Sequence, residues 1–388
     1  MGLPAHAIAL ACDKAAAVQR VAGGPRRGID MTLSEAATAL CRDVSGVDWN
    51  AEAVQADVDA MLAANRRASP AQRAAAFEVL LARLRAARVE DADGVAHVAI
   101  SAGTLVESGA PARPLAEVML TKLPDVLVAA RRFADTCLAD LPSDAGQADA
   151  LVSIDERAIP LAVFRRHVAA DRPGACALHR LREWVLPAIA ALTRDREQLV
   201  RACADRELVA RARALRDSAA WWLHVLLGVE LDARWLVLCP LDGRGFHITV
   251  DGVVSNFDLH TLVAAALIER GIAGKAPPAQ LIAFIERRAD DAGVGHVEGV
   301  WNYYTWRAAA HDLAAKTVPI ELWVWNEGVP KDVPMFEGTR TLLIGPAAVA
   351  RSWNVGRTFS GLSATVRVAD ELPAAQVRSL LEAMKGAG

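Results

Sequence analysis

Apolar positions along the first half of the chain recur at helical spacing. Thr32 and Glu35 form a capping box ahead of a first apolar run. Ser69-Pro70 supplies a cap and a first-turn proline, after which Phe77, Leu80, Leu81 and Leu84 fall on one face. A further helix over 93–108 turns Val95, Val98, Ala99, Ala102, Leu105 and Val106 inward. Two shorter helices are predicted near 112–122 and 124–140, the second started by Pro124. Residues 142–177 are less regular. Two strong helices follow, the later carrying Leu215, Ala219, Trp222 and Leu226 on one stripe and the charge pair Glu207–Arg211 on its outer side.

The pattern changes after Gly228. Trp235–Leu241 is a short apolar run, and Phe246, Ile248 and Val250 alternate with His247 and Thr249 before Asp251-Gly252, read as a hairpin turn. Further strands are predicted at Pro319–Trp325, Arg340–Ile344 and Ala364–Val368, with helices near 257–270 and 278–289 and a terminal helix beginning at Pro373. The expected class is therefore α+β (mixed). Residues 1–30 form a loosely ordered lead, 31–228 an all-helical domain resembling an irregular α-solenoid, and 229–388 an α/β domain of about five strands. No fixed repeat period is found.

Composition narrows the function classes. The 388 residues are 53% hydrophobic and 23% charged, which suits well-packed domains. Net charge is -3, and residue 229 onward holds 15 Lys/Arg against 18 Asp/Glu. Neither half has the basic excess of a nucleic-acid surface, so no nucleic-acid partner is expected. No apolar run reaches transmembrane length, so no membrane partner is expected either. The opening Met1–Cys12 resembles a secretion signal only loosely and lacks a basic start. Six scattered cysteines without a CxxC fit free thiols in a cytoplasmic protein.

Familiar catalytic and cofactor signatures are absent: no GxGxxG after a strand, no P-loop, no HExxH and no GxSxG. The cofactor is left unknown. Asp258-x-His260, His296-x-Glu298 and His311-Asp312 match no standard metal spacing, and no metal site is assigned. The informative feature is aromatic and polar. Six of ten tryptophans and both tyrosines follow residue 228, concentrated in Trp301-Asn-Tyr-Tyr-Thr-Trp306, Trp325-Asn-Glu-Gly328 and Arg351-Ser-Trp-Asn-Val-Gly-Arg357. Loops that follow strands are favoured places for ligands in α/β sheets.

On that reasoning Asn302, Trp306, Trp325, Asn326, Arg351, Asn354 and Arg357 are the candidate ligand-binding residues, with Glu327 and Arg351 the best candidates for catalysis. Asparagine orients polar ligands, indoles stack, and arginine holds carboxylate or phosphate by paired hydrogen bonds. The same residues also fit a structural origin, with Trp323 and Trp325 packing a sheet face and Asn and Gly serving as turn residues. Two functions are therefore carried forward. One is a binding or adaptor protein that recognises a protein partner or small polar ligand through this surface. The other is an enzyme acting on a small phosphorylated or sugar-like substrate, which requires Glu327, Asn302 and Arg351 in one pocket with Glu327 buried.

Overall fold

The computed structural model describes residues 31–44, 50–141, 150–154, 157–216, 218–314, 318–347, 349–356 and 358–387. The expected lead over residues 1–30 lies outside these. The chain divides into two compact units, with the boundary between Leu227 and Gly228. A helical unit and a mixed-sheet unit give the α+β class read from the sequence.

In the first unit, α1 (Leu33–Asp43) starts at Thr32 with its reciprocal Glu35 capping box. It packs with α2 (Ala51–Asn65) and α3 (Pro70–Ala86), and Ser69 caps α3 with Pro70 in its first turn. Phe77, Leu80, Leu81 and Leu84 of α3 are buried, as are the six inward positions expected of α4 (Ala92–Glu107).

The two helices expected at 112–122 and 124–140 are one helix, α5 (Ala112–Ala139), which passes through Pro124. An internal proline costs about 3 kcal/mol. Here a continuous stripe from Leu115 through Met119, Leu123, Leu127 and Phe133 is buried, and its packing offsets that loss. The irregular region contains a short antiparallel ribbon, β1 (Ala150–Ile154) with β2 (Arg157–Pro160), so the unit is not helical throughout. Then come α6 (Leu161–His167) and α7 (Arg172–His179), with Arg132 gripping Asp171 at the start of α7 through Nε and Nη2, both at 3.0 Å.

The expected pair of strong helices is instead four: α8 (Leu181–Leu192), α9 (Arg196–Ala204), α10 (Arg206–Arg213) and α11 (Ala220–Leu227). Asp195 and Asp205 accept backbone hydrogen bonds as N-caps, which favours a break where hydrophobic spacing alone reads through. Helix α8 returns to pack on both α4 and α5. Trp184 of α8 is buried and donates from Nε1 to the Ala92 carbonyl at 3.1 Å. The solenoid likeness therefore stops there, since stacked repeats touch only their neighbours.

The second unit is built on a six-stranded sheet, in which β3 (Ala233–Cys239) is central. It pairs antiparallel with β4 (Arg244–Asp251) and parallel with β8 (Thr339–Pro346). Beyond β4 lies β10 (Thr365–Glu371). Beyond β8 lie β6 (Trp301–Thr305) and the two-residue β7 (Met335–Phe336). A separate ribbon joins β5 (His296–Glu298) to β9 (Ser352–Asn354). Alternation sends Trp235, Val237, Ile248 and Ile344 to one face, under α12 (Asn256–Glu269) and α13 (Ala279–Ile285). Leu236, Leu238, Leu343 and Tyr304 face the other way with Val377 and Met384 of α14 (Ala374–Ala387).

Three local expectations change. The β3–β4 hairpin closes at Pro240–Gly243, while Asp251-Gly252 takes the chain out of β4 toward α12. Trp301–Thr305, read as a loop, is a wholly buried strand. Pro319–Trp325, read as a strand, begins as a 3-10 turn over Ile320–Leu322 and then meets β6 through one bridge, Tyr304 with Trp323. Proline initiates the turn, and only three residues remain to extend along the edge.

Gly252 has φ +68°, and a Cβ there would stand 1.9 Å from the Ser363 carbonyl oxygen; Gly338 has φ +79° with nothing within 4 Å. Gly338→Ala therefore loses about 1 kcal/mol from the left-handed backbone alone. Gly252→Ala loses more than about 2 kcal/mol, because backbone as well as φ must shift. Urea unfolding followed by tryptophan fluorescence compares the two, and equal losses contradict this account.

Candidate functional site

The segment after the bridge at Trp323 is held by its backbone. Val324 donates to the Tyr303 carbonyl at 2.8 Å, and Gly328 closes a turn on the Trp325 carbonyl at 3.1 Å. Asn256, the first residue of α12, seats that turn. Its Nδ2 donates to the Trp325 carbonyl at 2.7 Å, and its own N–H donates to the Gly328 carbonyl at 3.1 Å. Gly328 permits this approach, since a Cβ there would meet Asn256 Nδ2 at 2.8 Å. The turn is thus anchored to a helix N-terminus, which faces Trp325, Asn326 and Glu327 toward the chain that follows β8.

Arg351 enters just before β9, where its carbonyl accepts from Gly299 N–H at 2.8 Å. The indoles of Trp323 and Trp325 stack at 5.3 Å with 19° between their planes. The Arg351 guanidinium carbon lies 4.8 and 4.4 Å from their centroids. Contacts of this kind contribute about 0.5–2 kcal/mol each, more as water is excluded. Tyr304 meets Trp323 edge-on at 5.4 Å. Arg351 Nη1 donates to Asn326 Oδ1 at 3.0 Å. Burial works against the charge of Arg351, drawing its pKa down, while nearby Glu327 and Tyr304 oppose that change.

Beneath the turn, His260 of α12 stacks on Tyr303 at 3.9 Å and 14°, and Tyr303 Oη donates to the His260 carbonyl at 2.9 Å. Burial, then the charge of Arg351, push the His260 pKa down to about 3, with Asn326 alongside opposing the change. The imidazole is therefore neutral across the physiological range. Two residues earlier Asp258 accepts from Ser255 Oγ at 3.1 Å, and burial raises its carboxyl to about 6.

The site is under-satisfied. Arg351 Nε and Nη2, Asn256 Oδ1 and Asn302 Oδ1 are shielded from solvent and without a hydrogen-bond partner, while the side chains of Asn326 and His260 meet each other. Buried polar atoms left unpaired cost about 1–3 kcal/mol each. Atoms of this kind call for water or another polar partner, and two of them lie on the Arg351 guanidinium.

Of the residues singled out in the sequence, Trp325, Asn326 and Arg351 meet directly. Asn302 joins through Tyr304, to whose Oη its Nδ2 donates at 3.4 Å. Glu327 is near enough to influence Arg351 but is exposed, not buried as the enzyme reading required. Trp306 packs elsewhere, 5.3 Å from Phe336 in the core under α14. Asn354 is exposed on the β5–β9 ribbon opposite His296, and Arg357 lies outside the described residues. Asn256, His260, Tyr304 and Trp323 were missed as site residues. The signal available for Asn256 and His260 was their spacing of four at the start of a helix that also carries Asp258 and Thr261 there. Among the described residues no three His, Cys, Asp or Glu side chains gather as metal ligands.

The histidine shifts set a pH dependence. Below pH 6.5 the unfolded chain takes up protons at His260 and at His97 of α4, the latter lowered to about 4 mainly by burial. The fold refuses those protons, so stability falls as pH drops from 6.5 toward 4. Asp258 acts oppositely between about 4 and 6, because its folded carboxyl takes a proton first. His260→Phe keeps a ring on Tyr303 and removes one titration, so its thermal midpoint should fall less than wild type between pH 7 and 5. Equal falls in both proteins contradict the assignment. Comparison with protein-family models, curated proteins and solved structures finds no match for this chain, so its functional reading rests on this geometry.

Proposed function

We propose that the chain is a binding or adaptor protein whose sheet-bearing unit recognises a protein partner through the surface formed by Trp325, Asn326, Glu327 and Arg351. The observation that carries this reading is the Arg351 guanidinium against two stacked indoles, with its remaining donors unpaired. Tryptophan and arginine are the side chains most often responsible for binding energy at protein interfaces. Trp325 is 40% exposed, which leaves an indole edge available to a partner. The exposed position of Glu327 favours recognition over general-base chemistry, which depends on a sheltered carboxylate.

We place this activity in the cytoplasm. No described helix is long and apolar enough to cross a membrane. Among the described residues Cys137, Cys176 and Cys239 are free thiols, which suits a reducing compartment.

Affinity capture from an extract of the source cells, with wild type and Trp325→Ala as parallel baits, tests the reading. A hot-spot indole is worth about 2 kcal/mol or more, so a specific partner should be retained at least ~10-fold better by wild type. Identical recoveries from both baits overturn the proposal.

A further inference from the structure

Two other arginines of this chain show how its guanidinium groups hold a carboxylate. Arg132 grips Asp171 through Nε and Nη2 at 3.0 and 3.0 Å. Arg244 grips Glu371 through the same two atoms at 2.6 and 2.9 Å. These nitrogens form the side-on edge of the guanidinium, whose two parallel N–H bonds match the spacing of carboxylate oxygens. Arg351 presents the same edge without an acceptor, because its one hydrogen bond leaves from Nη1 to Asn326 Oδ1. Indoles lie against the guanidinium and Asn326 fixes its far end, so it is held in place with its Nε–Nη2 edge unpaired and shielded from solvent. Asn326 is itself only 4% exposed, and its side chain lies between the arginine and His260.

We infer that the Nε–Nη2 edge of Arg351 is a receptor for a carboxylate presented by the binding partner, bound side-on by two parallel hydrogen bonds. This rests on the recognition reading above and names the chemical group recognised. A cation pressed on indoles and short of acceptors favours a planar anion that stays within the plane of the guanidinium. Trp325 lies against the guanidinium and also meets solvent, and its Nε1 is held by a single 3.3 Å bond to the Ile320 carbonyl. It is therefore the indole placed to report a carboxylate arriving at the adjacent edge. Glu327, exposed and close enough to act on Arg351, has no hydrogen bond or ion pair among the described residues and competes electrostatically with the incoming anion.

The test uses the full chain and intrinsic tryptophan fluorescence. Sodium acetate, inorganic phosphate and sodium chloride are titrated separately at matched ionic strength and pH 7.5. The expected result is a saturable response to acetate and none to chloride. Arg351→Lys should weaken acetate binding by at least ~10-fold, because a point-like ammonium lacks the planar fork. Exposed Glu327→Gln, which leaves the fold undisturbed, should tighten it ~2–5-fold by removing a like charge. A response that never saturates, that survives Arg351→Lys unchanged, or that ignores Glu327→Gln overturns the inference. Phosphate binding tighter than acetate with the same dependence also overturns it, by assigning the edge to a tetrahedral anion. Partner capture that depends on Trp325 alongside a failed acetate titration defeats the carboxylate and leaves the recognition surface standing. Capture that ignores Trp325 removes the reading beneath it.

Discussion

The parallel pairing of β3 with β8 is the constraint on which the sheet unit is organised. Trp235 to Leu238 lie beside Arg340 to Leu343, and both strands are packed on both faces. A strand with no solvated face needs cover above and below, and α12 with α13 on one side and α14 on the other supply it. Because β6 runs antiparallel on the far side of β8, the end of β8 meets the start of β6, with Pro346 opposite Trp301. The chain leaving β8 toward Arg351 and the segment bridging β6 at Trp323 are thereby brought to the same edge.

What assembles there is expensive in isolation. A guanidinium is partly removed from water, amides are buried, and a histidine is kept neutral within reach of the arginine's charge. The stacked indoles return some of that cost through the cation–π contacts, and Asn256 returns some by satisfying the turn. The remainder sits in the unpaired donors of Arg351. The corresponding donors of Arg132 and Arg244 are filled by carboxylates. The contrast within one chain is the strongest physical reason to regard Arg351 as a recognition residue.

The helical unit poses the simpler problem of burying apolar stripes, and its departures from expectation have local causes. Pro124 fails to break α5 because a buried stripe runs through it, whereas Asp195 and Asp205 do break the chain because their carboxylates cap new helices. Period detects the apolar stripe in both cases. It does not weigh a proline's cost against buried area, or a cap against continued helix, since those balances depend on the packing partner.

The sequence by itself determined the class, the caps at Thr32 and Ser69, the buried faces of α3 and α4, and four of the strands of the main sheet, because these follow from spacing and side-chain type within one turn or one strand. It also marked Trp325, Asn326 and Arg351, as part of a tryptophan, asparagine and arginine cluster around the strands, but it marked Trp306, Asn354 and Arg357 on the same grounds. Only the tertiary structure separated Trp325 from Trp306, which differ in surroundings rather than in chemistry. It alone brought Asn256 and His260 of α12 to a turn far along the chain, turned Trp301–Thr305 into a buried strand and left Pro319–Trp325 as an edge. Strand order and helix cover decide those outcomes, and both are set by which distant surfaces exclude water together, a property that no window of sequence contains.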